Sequence, residues 1–464
     1  MRRSATRVAG CAAGLLVVLG GVAARPAAAQ MKAFYGAEGY GSLAAGGRGG
    51  EVYTVTNLSD SGAGSLRDAI ATAGATPRTI VFAVGGTLRA SDPLPVSGKS
   101  NLTIAGQTAP GDGILIRGAA LQIKNGSSHV IVRHIRVRYG DDTGNERDAV
   151  AISDSHDVIL DHVSASWGKD ETLSVTGDVT NVTVQNSIIA EGLKDTHQYG
   201  SLVNSETPGG GRITLWRNLY LNQLGRTPRA ASQNGQPMLL ELVNNVVYNW
   251  GHMADWGTQS TITDNETANW NMVANVHIAG PSTAGTGCDA AGNYQNTVLR
   301  AGSGGDTLHL SGNLLDGNAN GSLDAVAATT ANTQGSDPAA SPIAVEPWAQ
   351  IGAVQTAGAA LATIIADAGA RPWNRDAADQ RFIAELQSYG TQGSIKESVP
   401  AWPAIAGGAA PLDTDLDGLP DTWETWYGTD PATPSNNLVG QDGYTALELY
   451  LQWLIDPGSV IPLG

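Results

Sequence analysis

Two cysteines among 464 residues leave little scope for covalent cross-links. Cys11 lies in an N-terminal apolar run expected to be removed, so Cys288 stands alone in the mature chain and no intramolecular disulfide can form. No activating histidine is near Cys288 in sequence, so it is read as a structural thiol. Past that first apolar run no stretch reaches ~18 unbroken apolar residues, which excludes a membrane-spanning helix in the mature chain. Positive charge is scarce too. The 27 Lys and Arg face 43 Asp and Glu, for a formal net charge of -16, and the electrostatic footprint of a nucleic-acid binder is absent. An anionic substrate would need local cations or a bridging metal. Helix-period segments are few, which argues against a layered α/β fold.

What the chain has begins with Arg2, Arg3 and Arg7, an apolar run over 8–24, and Ala27-Ala28-Ala29 before Gln30. That is the order of charge, apolar core and cleavage site in a secretory signal. The general export route is favoured, because the apolar pair expected after a twin-arginine motif is missing. The mature, secreted protein is expected to start at Gln30.

From Asn101 onward, short β-branched runs recur: VIVRHIRV at Val130, VILDHVSA at Val158, VTVQNSII at Val182, ITLWRNLY at Ile213, LLELVNNVVY at Leu239, WNMVANVHI at Trp270 and TLHLSGNLL at Thr307. A polar column runs through them at His134, His162, Asn186, Asn218, Asn245, Asn275 and Asn313, with spacings of about 24 to 38 residues, the range of a solenoid. Asparagines stacked on successive turns can satisfy each other and the buried backbone. The prediction is an all-β, right-handed parallel β-helix, with a β-sandwich or propeller as the alternative. Asp161 and His162 sit inside an alternating strand and are read as structural. Segments 356–369 and 376–389 have helical period, the second with Phe382, Ile383 and Leu386 on one face, and are expected to pack over the end or side of the solenoid. The expected organisation is a signal over 1–29, the β-helix over 30–395, a Pro- and Gly-rich linker over 396–412 and a small helical calcium-loop module over 413–464.

That tail carries the strongest metal motif. Asp413, Asp415, Asp417, Asp421 and Glu424, with Gly418, occupy positions 1, 3, 5, 9, 12 and 6 of a twelve-residue calcium loop. Short helices follow it and none precedes it, so it resembles a dockerin-like or thrombospondin-repeat-like half-hand, with structure as its expected role. In the solenoid, Glu146, Asp148 and Asp170 fall on consecutive coils, and hard cations want several oxygen ligands.

Several segments carry a family resemblance. The opening FYGAEGYGSLAAGGRGGEVYTVTNLSDSGAGSLRDAI is followed by DAVAISDSHDVILDHVSASW, DETLSVTGDVTNVTVQNS, LKDTHQYGSLV and ITLWRNLYLNQLGRTPR. Their order resembles that of pectate lyases of polysaccharide lyase family 1, over roughly residues 33–255. The resemblance implies a calcium-dependent enzyme that cleaves polygalacturonate by β-elimination. It assigns Asp148 and Asp170 as calcium carboxylates, with Glu146 where the family has aspartate. Arg226 of Arg226-Thr227-Pro228-Arg229 is implied as the base, and Lys194 and Arg229 as substrate-binding residues. Two positions depart: Ser174 replaces a further calcium aspartate, and Ala231 replaces an arginine. Asp141, Asp142 or Glu171 could make up the missing ligand.

An arginine base is chemically awkward, because guanidinium normally stays protonated. A cationic setting from bound calcium, Lys194 and Arg229 would ease its deprotonation and predicts an alkaline optimum. His197 is read as a satisfied loop residue, and Trp250 and Trp256 as core rather than sugar platforms. The competing readings are a pectin lyase, a β-helix glycoside hydrolase using Asp141, Asp142 and Asp170, and a non-catalytic polysaccharide-binding β-helix. A monomer is expected, without nucleic-acid or membrane partners.

Overall fold

The β-branched runs pair in parallel, each with the run one coil later. Val130 lies beside Val158, Val158 beside Val182, Val182 beside Ile213, and Ile213 beside Leu240. The result is a parallel β-solenoid of about seven turns. The computed structural model describes residues 31–193, 197–208, 210–232, 238–251, 262–263, 268–283, 296–300, 306–334, 337–338 and 354–463. Lys32–Gly464 form one compact unit.

Strands Ser128–Arg138 and His156–Ser166 run eleven residues each through a bend, and join two faces that later coils split into separate strands such as Thr180–Gln185 and Ile188–Ala190. A third face is a separate parallel sheet of nine short strands, including Val150–Ser153, Leu173–Thr176, Leu202–Ser205 and Arg229–Ser232. Parallel strands covered on both sides need near-continuous apolar sequence. The runs supply it, and Val130, Val158, Val182, Ile213 and Leu240 are all fully buried.

The polar column resolves into two. Asn218 N–H donates to Asn245 Oδ1 (2.9 Å), Asn245 N–H to Asn275 Oδ1 (2.8 Å) and Asn275 N–H to Asn313 Oδ1 (2.9 Å). Asn186 does not join this ladder: Ser187 stands beside Asn218, and its N–H donates to Asn218 Oδ1 at 3.0 Å. Asn186 belongs instead with His134, His162 and Arg217 in the preceding column, where the backbone turns through the left-handed region with φ of 49° to 55°. Asparagine tolerates that region better than most residues, so it serves both columns and the sequence pattern blurred them.

The helices meet expectation, with one addition. Helix α1 (Leu66–Ala71), capped by Ser65, buries Leu66, Ala69 and Ile70 in the solenoid core; six residues are too few for a readable period. Helices α2 (Ala357–Asp367) and α3 (Ala377–Gln387) begin at the caps Thr356 and Asp376. They lie along the side of the solenoid, with Leu361, Ile364, Phe382 and Leu386 against Ile188, Leu219, Val246 and Val276. Buried ion pairs pin them there, since Arg138 reaches Asp376 and Asp379, each at 2.7 Å.

The segment after α3 has no regular structure but is well held. Trp402 lies under the Arg117 guanidinium (3.8 Å) and edge-on to Trp167 (4.9 Å), and Ala406 exchanges two 2.9 Å hydrogen bonds with Asp112. It returns the chain to the first coil, where helices α4 (Asp421–Tyr427) and α5 (Ala446–Trp453) dock. Arg48 pairs there with Glu448 at 2.7 Å. The glycine-rich opening segment lies flat on the outer face of the large sheet. At Gly41 a side chain would strike the Val158 carbonyl, and the Gly41 N–H donates to Thr183 Oγ1 at 2.8 Å. Among the described residues, no helix is long and apolar enough to cross a membrane.

Candidate active site

Four strands of the nine-stranded sheet follow turns that parallel register stacks into one edge. Asp148 leads into Val150–Ser153, Asp170 and Glu171 into Leu173–Thr176, Tyr199 into Leu202–Ser205, and Arg226 into Arg229–Ser232. The stacking is direct: Glu171 bridges Tyr199, and Tyr199 bridges Gly225.

Asp148, Asp170 and Glu171 each bring a carboxylate oxygen within 4.8 Å of the others. Glu146, exposed on the preceding loop, does not belong to that group. Glu171 is thus the third carboxylate. Asp148 Oδ1 accepts the Glu171 backbone N–H at 2.8 Å. Burial, and then the Glu171 charge, push the Asp148 carboxyl up to about 8. Burial also raises Glu171, while Arg226 opposes that shift. A half-buried, all-oxygen donor set whose members repel one another fits a hard divalent cation.

Arg226 sits beside this group in a left-handed conformation (φ 58°), with its guanidinium 4.0 Å above the Tyr199 ring. Its Nη1 is paired with Glu171 Oε1. The Tyr199 contact is a cation–π platform that orients the group. Arg229 is half-buried one residue beyond Pro228, and burial, then the Arg226 charge, lower its pKa. The sequence reading missed Tyr199 and gave Glu171 only a substitute role. An acid directly following Asp170 and an aromatic three residues before Leu202 were the available signals.

Other candidates fall elsewhere. Lys194, Trp256 and Cys288 lie outside the described residues. Asp142 is held by Arg117 at 2.6 and 2.8 Å, which keeps its carboxyl below the ordinary range. Asp141 accepts from the Val399 N–H at 3.2 Å. A carboxylate locked to a guanidinium is a poor general acid, so Asp142 does not suit that role in the hydrolase reading. His162 and Asp161 form a buried network with Arg133, and the His134 ring stacks on His162 at 4.7 Å. Trp250 is fully buried in the core. His197 packs edge-on against Tyr199 at 5.5 Å.

In the tail, Asp413, Asp415 and Asp417 converge within 4.8 Å. Glu424 is fully buried and its carboxyl is pushed up to about 7, first by burial. Asp421 turns to the start of the loop and accepts from Thr414 N–H and Oγ1 at 2.8 and 2.7 Å.

A family model described as pectate lyase matches residues 4–254. A probable pectate lyase C of Aspergillus fumigatus is 38% identical over 434 residues, covering 92% of this chain and 95% of that protein. A probable pectate lyase P56 of Solanum lycopersicum is 31% identical over 243 residues, covering 47% of this chain and 58% of that protein. A solved pectate lyase of a Bacillus species in complex with trigalacturonate is 16% identical, with a TM-score of 0.48, over 72% of this chain and 98% of its own. With the family model spanning more than half of the sequence and fungal relatives aligned along nearly all of it, the chain belongs to the pectate lyase family.

Proposed function

We propose that this chain is a secreted, monomeric pectate lyase that cleaves polygalacturonate by β-elimination and leaves 4,5-unsaturated oligogalacturonides. The observation that carries the reading is the single stacked edge in which Asp148, Asp170 and Glu171 stand beside Arg226 on its Tyr199 platform. Asp148 and Asp170 would hold a calcium ion, with Glu171 as third ligand and Glu146 at the rim. Bound there, calcium would neutralise a uronate carboxylate and make its C5 proton more acidic, as a Lewis acid does.

The remaining work falls to the protein. Lys194 and Arg229 bind substrate carboxylates. Arg226 takes the C5 proton, the electron pair forms the C4–C5 double bond, and the C4 glycosidic oxygen leaves; no water is consumed. Glu171 aims the guanidinium, and a guanidinium normally stays protonated. The rate is therefore expected to be highest at alkaline pH.

The test is ultraviolet absorbance of unsaturated product from polygalacturonate at alkaline pH, with calcium and then with excess chelator. Wild type should give calcium-dependent absorbance, and Arg226→Lys should lower kcat by about 10³-fold, within the span of a positioned general base. New reducing ends without absorbance would mean hydrolysis, and neither signal would leave a polysaccharide-binding β-helix.

A further inference from the structure

The acidic loop of the tail has no part in the chemistry above, yet it is built like a site. Gly418 N–H donates to Asp413 Oδ2 and Leu419 N–H to Asp417 Oδ1, each at 2.9 Å. Three further oxygens, Asp413 Oδ1, Asp415 Oδ2 and Glu424 Oε2, are buried without a hydrogen-bond partner among the described residues. Glu424 is the telling one. It is 0% exposed, faces Asp415 and Asp417, and its other oxygen accepts from Ser435 Oγ at 3.0 Å and Thr429 Oγ1 at 3.4 Å. A buried carboxylate oxygen without a donor is costly unless a cation meets it.

We propose that loop 413–424 binds a calcium ion through Asp413, Asp415, Asp417, the Leu419 carbonyl and Glu424, and that this ion is a structural staple fastening the tail to the first coil of the solenoid. These groups are the oxygen types and positions a calcium loop uses. Asp421 braces the loop start.

The mechanical link is continuous. Asp417 Oδ2 accepts Ser435 N–H at 2.6 Å and Asn436 N–H at 2.9 Å. The next residue, Asn437, donates through Nδ2 to the Gly50 carbonyl at 2.9 Å, just before strand Glu51–Val55. Gly418, at φ 91°, packs on Val52 so closely that an added Cβ would lie 2.9 Å from its Cγ1. An ion that fixes Asp417 therefore fixes 435–437 and, through them, the edge of the first coil. Tyr35 adds a 2.8 Å hydrogen bond to Asp442 across the same junction.

The test uses the full mature chain and separates the two metal sites. In Asp148→Asn/Asp170→Asn, with the cleft ligands removed, calorimetric titration should still find one bound calcium. Calcium at about 100-fold above Kd should raise Tm by roughly 3 °C for a chain of this size, and chelator should open 399–412 to limited proteolysis. Terbium luminescence excited through Trp423 and Trp426, which flank Glu424, reads the same site directly. Glu424→Gln in that background should weaken binding at least about tenfold and, at the same calcium concentration, cut the Tm rise by about half or more. In the otherwise wild-type chain it should leave product formation at low temperature within about twofold. Asp415→Asn, at a less buried position, repeats the test should Glu424→Gln fail to fold. A cleft variant that binds no calcium, or a Glu424→Gln variant that keeps the full calcium-dependent rise, overturns the staple, whatever the outcome for catalysis.

Discussion

Glu241 illustrates how one buried acid couples this fold to pH. It lies on strand Met238–Val243 at 0% exposure, accepts from Thr214 Oγ1 at 2.9 Å through one oxygen, and its other oxygen has no hydrogen-bond partner among the described residues. Burial pushes its carboxyl from 4.5 up to about 8. An acid whose folded pKa is raised contributes stability that is present below its unfolded pKa and lost as pH rises through the folded one. The window here runs from about 4.5 to about 8. Glu241→Gln keeps the hydrogen bond from Thr214 and removes the ionisation, so it should be near neutral at pH 5 and stabilising at pH 9 by roughly 2–5 kcal/mol. Urea unfolding at the two pH values checks it. A variant no more stable than wild type at pH 9 would mean that Glu241 ionises freely in place.

The asparagine ladder is the element-scale feature on which the stack of coils depends. Asn245 accepts both the N–H and the Nδ2 of Asn218, at 2.9 and 3.1 Å, and donates to Leu215 and Val243 carbonyls at 2.8 and 3.1 Å. Asn245→Ala would leave a buried N–H and two carbonyls short of partners, and should cost about 2–4 kcal/mol. Asn186→Ala, outside the ladder, should cost less. Denaturant midpoints of the two variants test the ranking, and equal losses would contradict the division into two columns. The ladder was legible in the sequence because its members keep register with the β-branched runs. Its one-residue slip at Asn186 was not, because a left-handed turn and a ladder position both favour asparagine. Helices α2 and α3 announced themselves by helical period over eleven residues each, whereas six-residue α1 could not. At the cleft, Asp148, Asp170 and Arg226 were marked in the sequence by the family resemblance, and the structure brings them to one edge. Tyr199 became visible, and Glu171 stood out from Asp141 and Asp142, only once parallel register stacked the turns, since each acts on a residue one or more coils away.

At the scale of the whole molecule, sequence told least about the path of 399–412 and the docking of the tail. Contacts such as Asp112 with Ala406 span 294 positions and leave no local pattern. Charge, by contrast, was plain from composition and sets a last expectation. The chain's formal net charge of -16 opposes a polyanionic substrate at long range, and salt screens that repulsion over about 10 Å at 0.1 M. Contacts within the cleft are screened far less, because Arg229 is half-buried and Glu171 and Tyr199 are buried. The two effects have opposite signs. Repulsion involves the whole surface and acts before contact, so it should dominate encounter at low ionic strength. KM for polygalacturonate, measured at saturating calcium, should therefore fall severalfold between 10 and 150 mM NaCl, with kcat little changed. A KM that rises steadily from the lowest salt would show that local cations, and not the overall negative charge, govern encounter.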